Sequence, residues 1–264
     1  MTMPFHSIII PHRNRQRDLS ICLWSLGKSA EATENLDFEV LVIDDGSDGP
    51  LPSPKSLPYV AYHIVPTSLP LFNKPRLLNI GIDRAQGEVL TFLDADAVVG
   101  RLWLDGVLRL RDQDAPTRLC YRVRYLEPST GDALADVARR DLVYGEAFSH
   151  YEAFSCGFEG YGEPYRRAHD GTPVFGNSQY SLRRDVLGEI RHNEAFDGRG
   201  FEDLWTIREI YRCYGTDYQG EILTDSAHAL FHIRQDHYEP YWHSHAINQR
   251  NELRYKTDRQ RKRA

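Results

Sequence analysis

Short apolar runs alternate with amphipathic segments along the N-terminal part of the chain. The apolar runs are typical of buried strands and cover Ser7–Pro11, Phe38–Ile43, Tyr59–Val65 and Val89–Leu93. Between them, Gln16–Lys28 and Pro75–Ala85 repeat apolar residues at helical spacing, which predicts two helices. Because strands that alternate with helices form βαβ units, the pattern predicts a parallel, doubly wound α/β sheet.

The second half of the chain has a less regular pattern. Helices are predicted at Leu102–Arg111 and Leu204–Tyr214, and strands at Leu119–Tyr125 and Val174–Leu182. Residues 144–172 are rich in glycine, aromatic and acidic residues and have no period. Because a long loop in a compact domain is usually functional or mobile, this segment is a candidate lid or ligand platform.

Composition and charge place the chain among soluble globular proteins. It has 264 residues, of which 41% are hydrophobic and 27% charged, and a formal net charge of −6. This acidic balance gives no general reason to bind nucleic acid or anionic lipid. The basic tail, residues 259–263, is the exception: it is either a solvated terminus or a weak membrane-surface contact.

The N-terminus and the cysteines predict a cytoplasmic protein. The first apolar run contains three isoleucines and is followed by basic residues, which does not fit a secretory signal. No window approaches the ~20 apolar residues that a membrane helix needs. The cysteines, Cys22, Cys120, Cys156 and Cys213, lack metal-ligand spacing, so we interpret them as reduced thiols.

Two carboxylates follow the fourth predicted strand, Asp94 and Asp96. Ligands bind at the carboxyl ends of strands in α/β sheets, and buried carboxylates there need a positive partner. A divalent cation that holds a diphosphate would meet that need, although a solvated turn is the alternative reading. The placement after an apolar run favours a metal–diphosphate site, which is the chemistry of a transferase that uses a nucleotide-activated sugar.

The first and second predicted strands also end in polar residues. Arg13 and Arg15 lie in the loop Pro11–Arg15, which also contains His12, and arginine matches phosphate oxygens in a fork geometry. This loop is therefore a candidate diphosphate cradle, or else a solvated charge run. The acids Asp44 and Asp45 could accept hydrogen bonds from a ribose hydroxyl or a base, or could form an Asx-rich turn.

Two later segments carry further candidate residues. Glu202 and Asp203 follow a glycine-rich turn at 198–201 and precede a predicted helix, so Asp203 either caps that helix or serves in proton transfer. Five histidines lie within residues 228–245, and imidazole is a good ligand for Mn²⁺ or Zn²⁺.

The order of these segments resembles that of the inverting GT-A-type glycosyltransferases. The resemblance is carried by the strings SIIIPHRNRQRDL, FNKPRLLNIGI, FLDAD and GFED and by His232. The string VIDDGSDG is similar to glycosyltransferase family 2. The strings IIIPHRNR and FNKPRLLNIG, and the FED segment with the late histidine, are more similar to the β-1,4-galactosyltransferase family 7. The resemblance covers most of residues 7–237.

The resemblance implies roles for the matching residues on the donor side. It implies that the loop of Pro11, His12, Arg13 and Arg15 surrounds the nucleotide diphosphate. It implies that Phe72 and Lys74 cradle the uracil, and that Asp44 or Asp45 contacts the base and ribose. Asp94 would lie at the donor beside Asp96, the metal-ligating acid.

For catalysis and the acceptor, the resemblance implies that Asp203 is the general base and Glu202 contacts the acceptor, while His232 is the second metal ligand with Asp96. The chain departs from family 7 at two places. Ala229 stands where the galactosyltransferases have a methionine ligand, a gap that water or His228 would fill. Arg199 lies near the place of their sugar-site tryptophan, on the predicted acceptor side.

The sequence thus predicts an α/β fold that is GT-A-like (Rossmann-like), with a mostly parallel twisted sheet and helices on both faces. Residues 1–99 would form a nucleotide-sugar-binding half, and residues 100–240 the acceptor-binding and catalytic half of the same domain. Residues 241–264 would form a C-terminal helix and the basic tail.

The predicted function is metal-dependent, inverting transfer of a hexosyl or N-acetylhexosaminyl group from a UDP-sugar to a hydroxyl of a glycan or glycoconjugate, with Mn²⁺ or Mg²⁺. A sugar nucleotidyltransferase is an alternative, but it would usually have a glycine-rich loop after its first strand, which PHRNR is not. A non-catalytic sugar-binding pseudoenzyme is a second alternative. The presence of Asp94, Asp96, Asp203 and His232 argues against it.

Overall fold

The structure is a computed structural model of the chain. The residues that it describes are 4–34, 37–52, 60–65, 71–121, 123–126, 131–136, 138, 166–167, 173–174, 179–198, 200–223, 228, 230–233 and 245–261.

The strands and helices are numbered in chain order. The strands are β1 (His6–His12), β2 (Phe38–Asp44), β3 (Val60–Ile64), β4 (Val89–Phe92), β5 (Ala97–Val99), β6 (Thr117–Tyr121), β7 (Val123–Leu126), β8 (Arg166–Arg167), β9 (Pro173–Val174), β10 (Tyr180–Arg183), β11 (Gln219–Leu223) and β12 (Leu230–Ile233). The helices are α1 (Gln16–Ala32), α2 (Lys74–Arg84), α3 (Trp103–Val107), α4 (Arg184–Leu187), α5 (Glu202–Tyr214) and α6 (His245–Arg261), and short 3₁₀ turns lie at Leu108–Leu110 and Gly215–Asp217.

A seven-stranded sheet forms the centre of the fold, with the order β11-β6-β10-β4-β1-β2-β3. Strand β10 runs antiparallel to both of its neighbours, β4 and β6. The other pairs in this sheet are parallel. The predicted mostly parallel α/β sheet is therefore confirmed, and strands from both halves of the sequence contribute to it.

Alternate residues of β1 face opposite sides of the sheet, as the two-residue period of a strand requires. Ile8 and Ile10 lie in one apolar cluster with the buried face of α1. Ile9 lies in the other cluster with Leu77 and Leu78 of α2. Because both faces of the strand are covered, β1 reads in the sequence as a continuous apolar run.

A smaller sheet of order β5-β12-β7 lies beside the first. Strand β12 pairs antiparallel with β5 and parallel with β7. Its Phe231 and Ile233 belong to the same apolar cluster as α1, so this sheet shares a core with the larger one.

Several predicted boundaries in the second half were wrong. The helix predicted at Leu102–Arg111 is a single turn, Trp103–Val107, followed by a 3₁₀ turn. The strand predicted at Leu119–Tyr125 is two strands that belong to different sheets. Most of the predicted loop 144–172 lies outside the described residues. Among the described helices, none combines the length and apolarity that crossing a bilayer would require.

Candidate active site at the carboxyl ends of the strands

The strand order reverses at β1, whose neighbours are β2 on one side and β4 on the other. All three strands are parallel, so their carboxyl ends lie at one edge of the sheet. A crevice outside the carboxyl ends at such a switch point is where α/β sheets bind ligands. The basic loop after β1, the acids after β2 and the acids after β4 all follow strands that end at this edge.

Two carboxylates and one imidazole converge at this edge. Potential ligand atoms of Asp94, Asp96 and His232 all lie within 4.8 Å of one another. Strand pairing places the histidine, because His232 lies opposite Ala97 in the β5–β12 register and the Ile233 N–H donates to the Asp96 carbonyl at 2.9 Å. Residues far apart in the sequence thus meet through backbone pairing.

The orientation of His232 suits a metal ligand. Its Nδ1 lies 3.2 Å from the Ile233 carbonyl oxygen, which can only accept, so Nδ1 carries a proton. Its Nε2 faces Asp96, with Oδ1 at 3.2 Å. A second hydrogen bond of this kind fixes the ring of many metal-binding histidines. Two carboxylates and an imidazole also form a donor set suited to Mn²⁺, so the residues present fit a divalent cation.

Two cations contact the acids of this cluster. Arg15 donates to Asp96 Oδ2 at 2.5 Å, and the Lys74 ammonium contacts Asp94 Oδ1. Burial alone would raise the pKa of the Asp96 carboxyl, but His232, Arg15 and Lys74 outweigh it and lower that pKa well below its usual range. Burial opposes a charged His232, yet Asp96 outweighs it and raises the pKa of that imidazole. Cationic and anionic side chains therefore alternate within this compact site.

Hydrogen bonds inside the protein occupy His12 and Asp44. The Arg15 N–H donates to His12 Nε2 at 3.1 Å, so the ring proton is on Nδ1, which donates to Asp44 Oδ1 at 2.7 Å. Asp44 also accepts from the Ser47 hydroxyl and the Ser47 N–H. Burial would raise the pKa of Asp44, and these bonds from Ser47 and His12 lower it. Both residues, which the sequence predicts at the donor, tie the basic loop to the loop after β2.

The rest of the basic loop is tied to the same neighbour. Arg13 lies 3.5 Å from Asp45 Oδ2, while Asn14 adopts a left-handed φ of 54°. The Asn14 N–H donates to Ser47 Oγ at 2.8 Å, and its side-chain amide exchanges hydrogen bonds with Asp48. Asn tolerates this backbone conformation better than most residues, so the loop is held in a defined shape. Pro11 is buried within β1.

The start of α2 places Lys74 between the two groups of acids. Asn73 caps this helix by accepting from the Arg76 N–H at 3.0 Å. Lys74 is buried, and although burial opposes its charge, Asp94 and Glu202 raise the pKa of its ammonium. The Phe72 carbonyl accepts from the Gly198 N–H at 2.9 Å, which links this segment to the turn before α5. Phe72 itself is half-buried.

Glu202 and Asp203 lie in the first turn of α5. Burial and the adjacent Asp203 raise the pKa of the Glu202 carboxyl, while Lys74 opposes that shift. Asp203 is partly exposed, and its Oδ1 accepts from the Leu204 N–H at 2.8 Å. The residue that caps this helix is Phe201, and no side chain supplies a capping bond there. Asp203 is therefore not the N-cap, which removes the strongest reason to read it as purely structural.

Of the remaining predicted residues, some lie among the described residues and others do not. Arg199 lies outside the described residues, as do Ala229, His237 and His243. His228 lies 3.9 Å from Asp105 and does not belong to the cluster of Asp94, Asp96 and His232.

The residues predicted from the sequence did not include Asp18, which lies in the first turn of α1. Its side chain is buried, and burial followed by the charge of Asp96 raises the pKa of its carboxyl. Arg15 and Arg17 oppose that shift. The available signal was an acid one turn after the basic loop. Because acids are common in the first turn of helices, where they interact favourably with the helix dipole, this signal did not single out Asp18.

Comparisons with known proteins agree with this architecture. The family model described as Glycosyl transferase family 2 matches residues 7–133. The crystal structure of S. aureus TarS matches with a TM-score of 0.54 and 16% sequence identity, covering 87% of this chain and 36% of that one. TarS 1–349 in complex with UDP-GlcNAc matches with a TM-score of 0.53 and 17% identity, covering 88% of this chain and 59% of that one.

At these identities the likeness to TarS shows the fold, and the chain spans less than two thirds of each of these matched structures. The family match spans the basic loop, the acids after β2, the start of α2 and Asp94 and Asp96. The predicted GT-A-like fold and the predicted resemblance to glycosyltransferase family 2 are therefore confirmed, whereas the resemblance to family 7 is not.

Proposed function

We propose that the chain transfers a sugar from a UDP-sugar to a hydroxyl of a glycan or glycoconjugate acceptor, with inversion at the anomeric carbon and with help from a divalent cation. The observation that carries this proposal is the cluster of Asp94, Asp96 and His232 at the carboxyl edge of the sheet, flanked by Arg15 and Lys74. The family match favours sugar transfer over the nucleotidyltransferase alternative.

The donor diphosphate would lie between the basic loop and the acid cluster. Arg13 and Arg15 present guanidinium groups there, and these bind phosphate oxygens more specifically than a point charge does. The TarS structure holds UDP-GlcNAc, which supports a uridine diphosphate donor for this related fold. Phe72 and Lys74 at the start of α2 remain the proposed uracil contacts. Asp45 is the better candidate for the base or ribose because Asp44 is engaged by His12 and Ser47.

Asp96 and His232, with Asp94 beside them, would hold Mn²⁺ or Mg²⁺. When bound, such a cation supplies Lewis-acid stabilisation of the negative charge that grows on the leaving diphosphate. Arg15 and Lys74 would provide fixed positive charge at the same place, whose orientation the protein has already set. Together with His232, these cations also lower the pKa of the buried Asp96 carboxyl.

Asp203 would accept the proton of the acceptor hydroxyl as that oxygen attacks the anomeric carbon. Burial and the adjacent Asp203 raise the pKa of the Glu202 carboxyl, so Glu202 holds its proton more tightly than an ordinary carboxyl does. A carboxyl that holds its proton can donate a hydrogen bond to the acceptor, which is the role proposed for Glu202. Attack from the face opposite the diphosphate inverts the configuration.

Other predictions stay as the sequence suggests them. Arg199 remains a proposed acceptor contact, and the segment 144–172 remains a candidate lid or acceptor platform. Residues 1–99 and 100–240 remain the proposed donor half and the proposed acceptor-binding and catalytic half. A cytoplasmic location and a weak membrane contact through residues 259–263 also remain predictions.

A donor screen tests the proposal. Purified protein with Mn²⁺ is given a panel of nucleotide sugars without an acceptor, and slow hydrolysis is read as nucleotide release. We expect UDP-sugars to be hydrolysed fastest, and UDP to raise the melting temperature more than GDP, CMP or dTDP. Preferential hydrolysis of a GDP- or dTDP-sugar would contradict the uracil assignment, and no hydrolysis of any donor under any metal would contradict the proposal.

A further inference from the structure

We infer that α6 sets the direction of α5 and that Asp258, on α6, is a positioning residue for Asp203. The inference rests on the function proposed above.

The backbone that leads into α5 does not define the direction of this helix by itself. Gly198 and Gly200 have positive φ angles of 73° and 99°, and Phe201 has a φ of 71°. Such an angle is unusual for a bulky residue and persists only where the surroundings hold it. Since Phe201 also lacks a side-chain capping bond, the support for the first turn of α5 must come from elsewhere.

Helix α6 contacts this turn directly. A Cβ atom at Gly198 would lie 2.8 Å from Ile247 Cγ2, so the Ile247 side chain packs against the backbone of this turn as closely as glycine permits. The side-chain amide of the fully buried Asn251 donates to the Asp197 carbonyl at 3.0 Å. These contacts hold the turn from the side of α6.

A second set of contacts joins α6 to the body of α5. Asp258 Oδ2 accepts from Trp205 Nε1 at 2.9 Å and from the Arg208 guanidinium at 2.7 Å. That guanidinium lies 4.7 Å from the centre of the Tyr255 ring, and this ring lies 5.6 Å from that of Phe201. The Asp258 carboxylate thus holds two consecutive turns of α5. Through Arg208 and Tyr255 it is also connected to the ring of Phe201.

Rotation or tilt of α5 would displace the candidate base. Asp203 Oδ1 is bonded to the N–H of the next residue in the helix, so its carboxylate moves with the helix. Misplacement of a catalytic group by about 1 Å can cost on the order of 10²-fold in rate. Removal of the Asp258 carboxylate would also leave the buried Arg208 without its 2.7 Å partner, which gives α5 a reason to shift.

The test uses the full chain with Mn²⁺ and the UDP-sugar that it hydrolyses fastest, with water as the acceptor. For Asp258→Ala we expect kcat for UDP release to fall roughly 10–100-fold, with KM and the Kd for UDP within about twofold. Asp258→Asn keeps one acceptor oxygen for Trp205, so it should give an intermediate kcat and a folded protein. Glu252→Ala is the matched control, because Glu252 lies on the same helix and pairs with Lys256 at the surface.

Double variants separate this inference from the proposed function. If Asp258 acts through Asp203, adding Asp258→Ala to Asp203→Asn causes no further loss of kcat. Additive losses, a wild-type kcat in both Asp258 variants, or parallel losses of kcat and UDP affinity would overturn the positioning role alone. Wild-type hydrolysis by Asp203→Asn would instead overturn the proposed base.

Discussion

The donor side and the base side of the candidate site are built in different ways. On the proposed donor side, the candidate residues follow strands β1, β2 and β4, and hydrogen bonds among His12, Asp44 and Ser47 hold the loops together. On the base side, Asp203 follows a glycine-rich turn with positive φ angles and depends on contacts from α6. The loops of the proposed donor side are held by the strands that they follow and by each other, whereas the turn before α5 is held by α6 and by one bond to the Phe72 carbonyl.

This difference predicts which substitutions should change metal or nucleotide affinity and which should change the reaction rate. A change on the donor side should alter metal or nucleotide affinity, because the strands hold the backbone in place. A change on the base side should alter the rate with little effect on nucleotide affinity. The predictions below test this separation.

The largest effect should come from removing the metal. We expect EDTA to abolish UDP-sugar hydrolysis, since the acids and His232 would then lack the cation that neutralises the leaving diphosphate. His232→Ala should weaken Mn²⁺ binding at least about tenfold, or about 1.4 kcal/mol, and should weaken UDP binding with it. Calorimetry of Mn²⁺ and of UDP measures both. Full activity in EDTA, with no metal in the purified protein, would refute this prediction.

Asp203→Asn should affect the rate alone. Asparagine cannot accept the proton, and loss of a general base typically costs about 10²–10⁴ in rate. Because the donor side is unchanged, the Kd for UDP and the melting temperature should stay close to those of the wild type. Single-turnover UDP release provides the rate. A wild-type rate would show that the base lies elsewhere, with Glu202 as the next candidate.

Asp44→Asn should destabilise the donor side. The carboxylate accepts from His12 and twice from Ser47, and asparagine has one acceptor oxygen for these donors. We expect a loss of about 1–3 kcal/mol in the free energy of unfolding, measured by urea titration. Asp48→Asn is the control, because it makes the same change at an exposed position of the same loop and should cost less than about 0.5 kcal/mol. Equal effects of the two substitutions would contradict the structural role of Asp44.

The last expected effect is a pH dependence of stability from two buried histidines, His6 at the start of β1 and His192, whose ring contacts Thr206 of α5. Burial lowers the pKa of His6 in β1 and of His192 behind α5 to about 3, from an ordinary value of 6.5. Between these values the unfolded chain binds more protons, so the free energy of unfolding falls as the pH drops, by about 1.4 kcal/mol per pH unit for each histidine.

His192→Gln should therefore reduce the slope of stability against pH between about pH 4 and pH 6 by roughly 1.4 kcal/mol per unit. Urea unfolding at several pH values measures the slope. His63→Gln is the control, because His63 lies on the edge strand β3 and is only half-buried, so burial lowers its pKa less. An unchanged slope in the His192 variant would show that this imidazole is charged in the folded state.

The sequence predicted the strands that end at this edge well because its information about them is local. Each apolar run and the polar residues that end it lie within a few positions, and parallel strands bring their carboxyl ends together by rule. The structure did not change which segments form this edge, but it did show that His12 and Asp44 bond to each other, since hydrogen-bond partners across strands cannot be read from spacing.

The base side was harder to predict because its information is long-range. Nothing near Asp203 indicates that Asp258, Ile247 and Asn251 will hold its helix. The sequence also joined β6 and β7 into one strand, because the chain passes from one sheet to the other without a proline or glycine between Leu119 and Tyr125.

The register of the pairing between β12 and β5 decides which face of the small sheet His232 occupies. Side chains alternate across a strand, so a shift of one residue in this pairing would carry His232 to the opposite face of the small sheet and bring a neighbouring apolar side chain to Asp96. A shift of two would restore the face but move the ring along the strand. Insertions or deletions between residues 100 and 229 would therefore preserve the cluster of Asp94, Asp96 and His232 only where this register is kept.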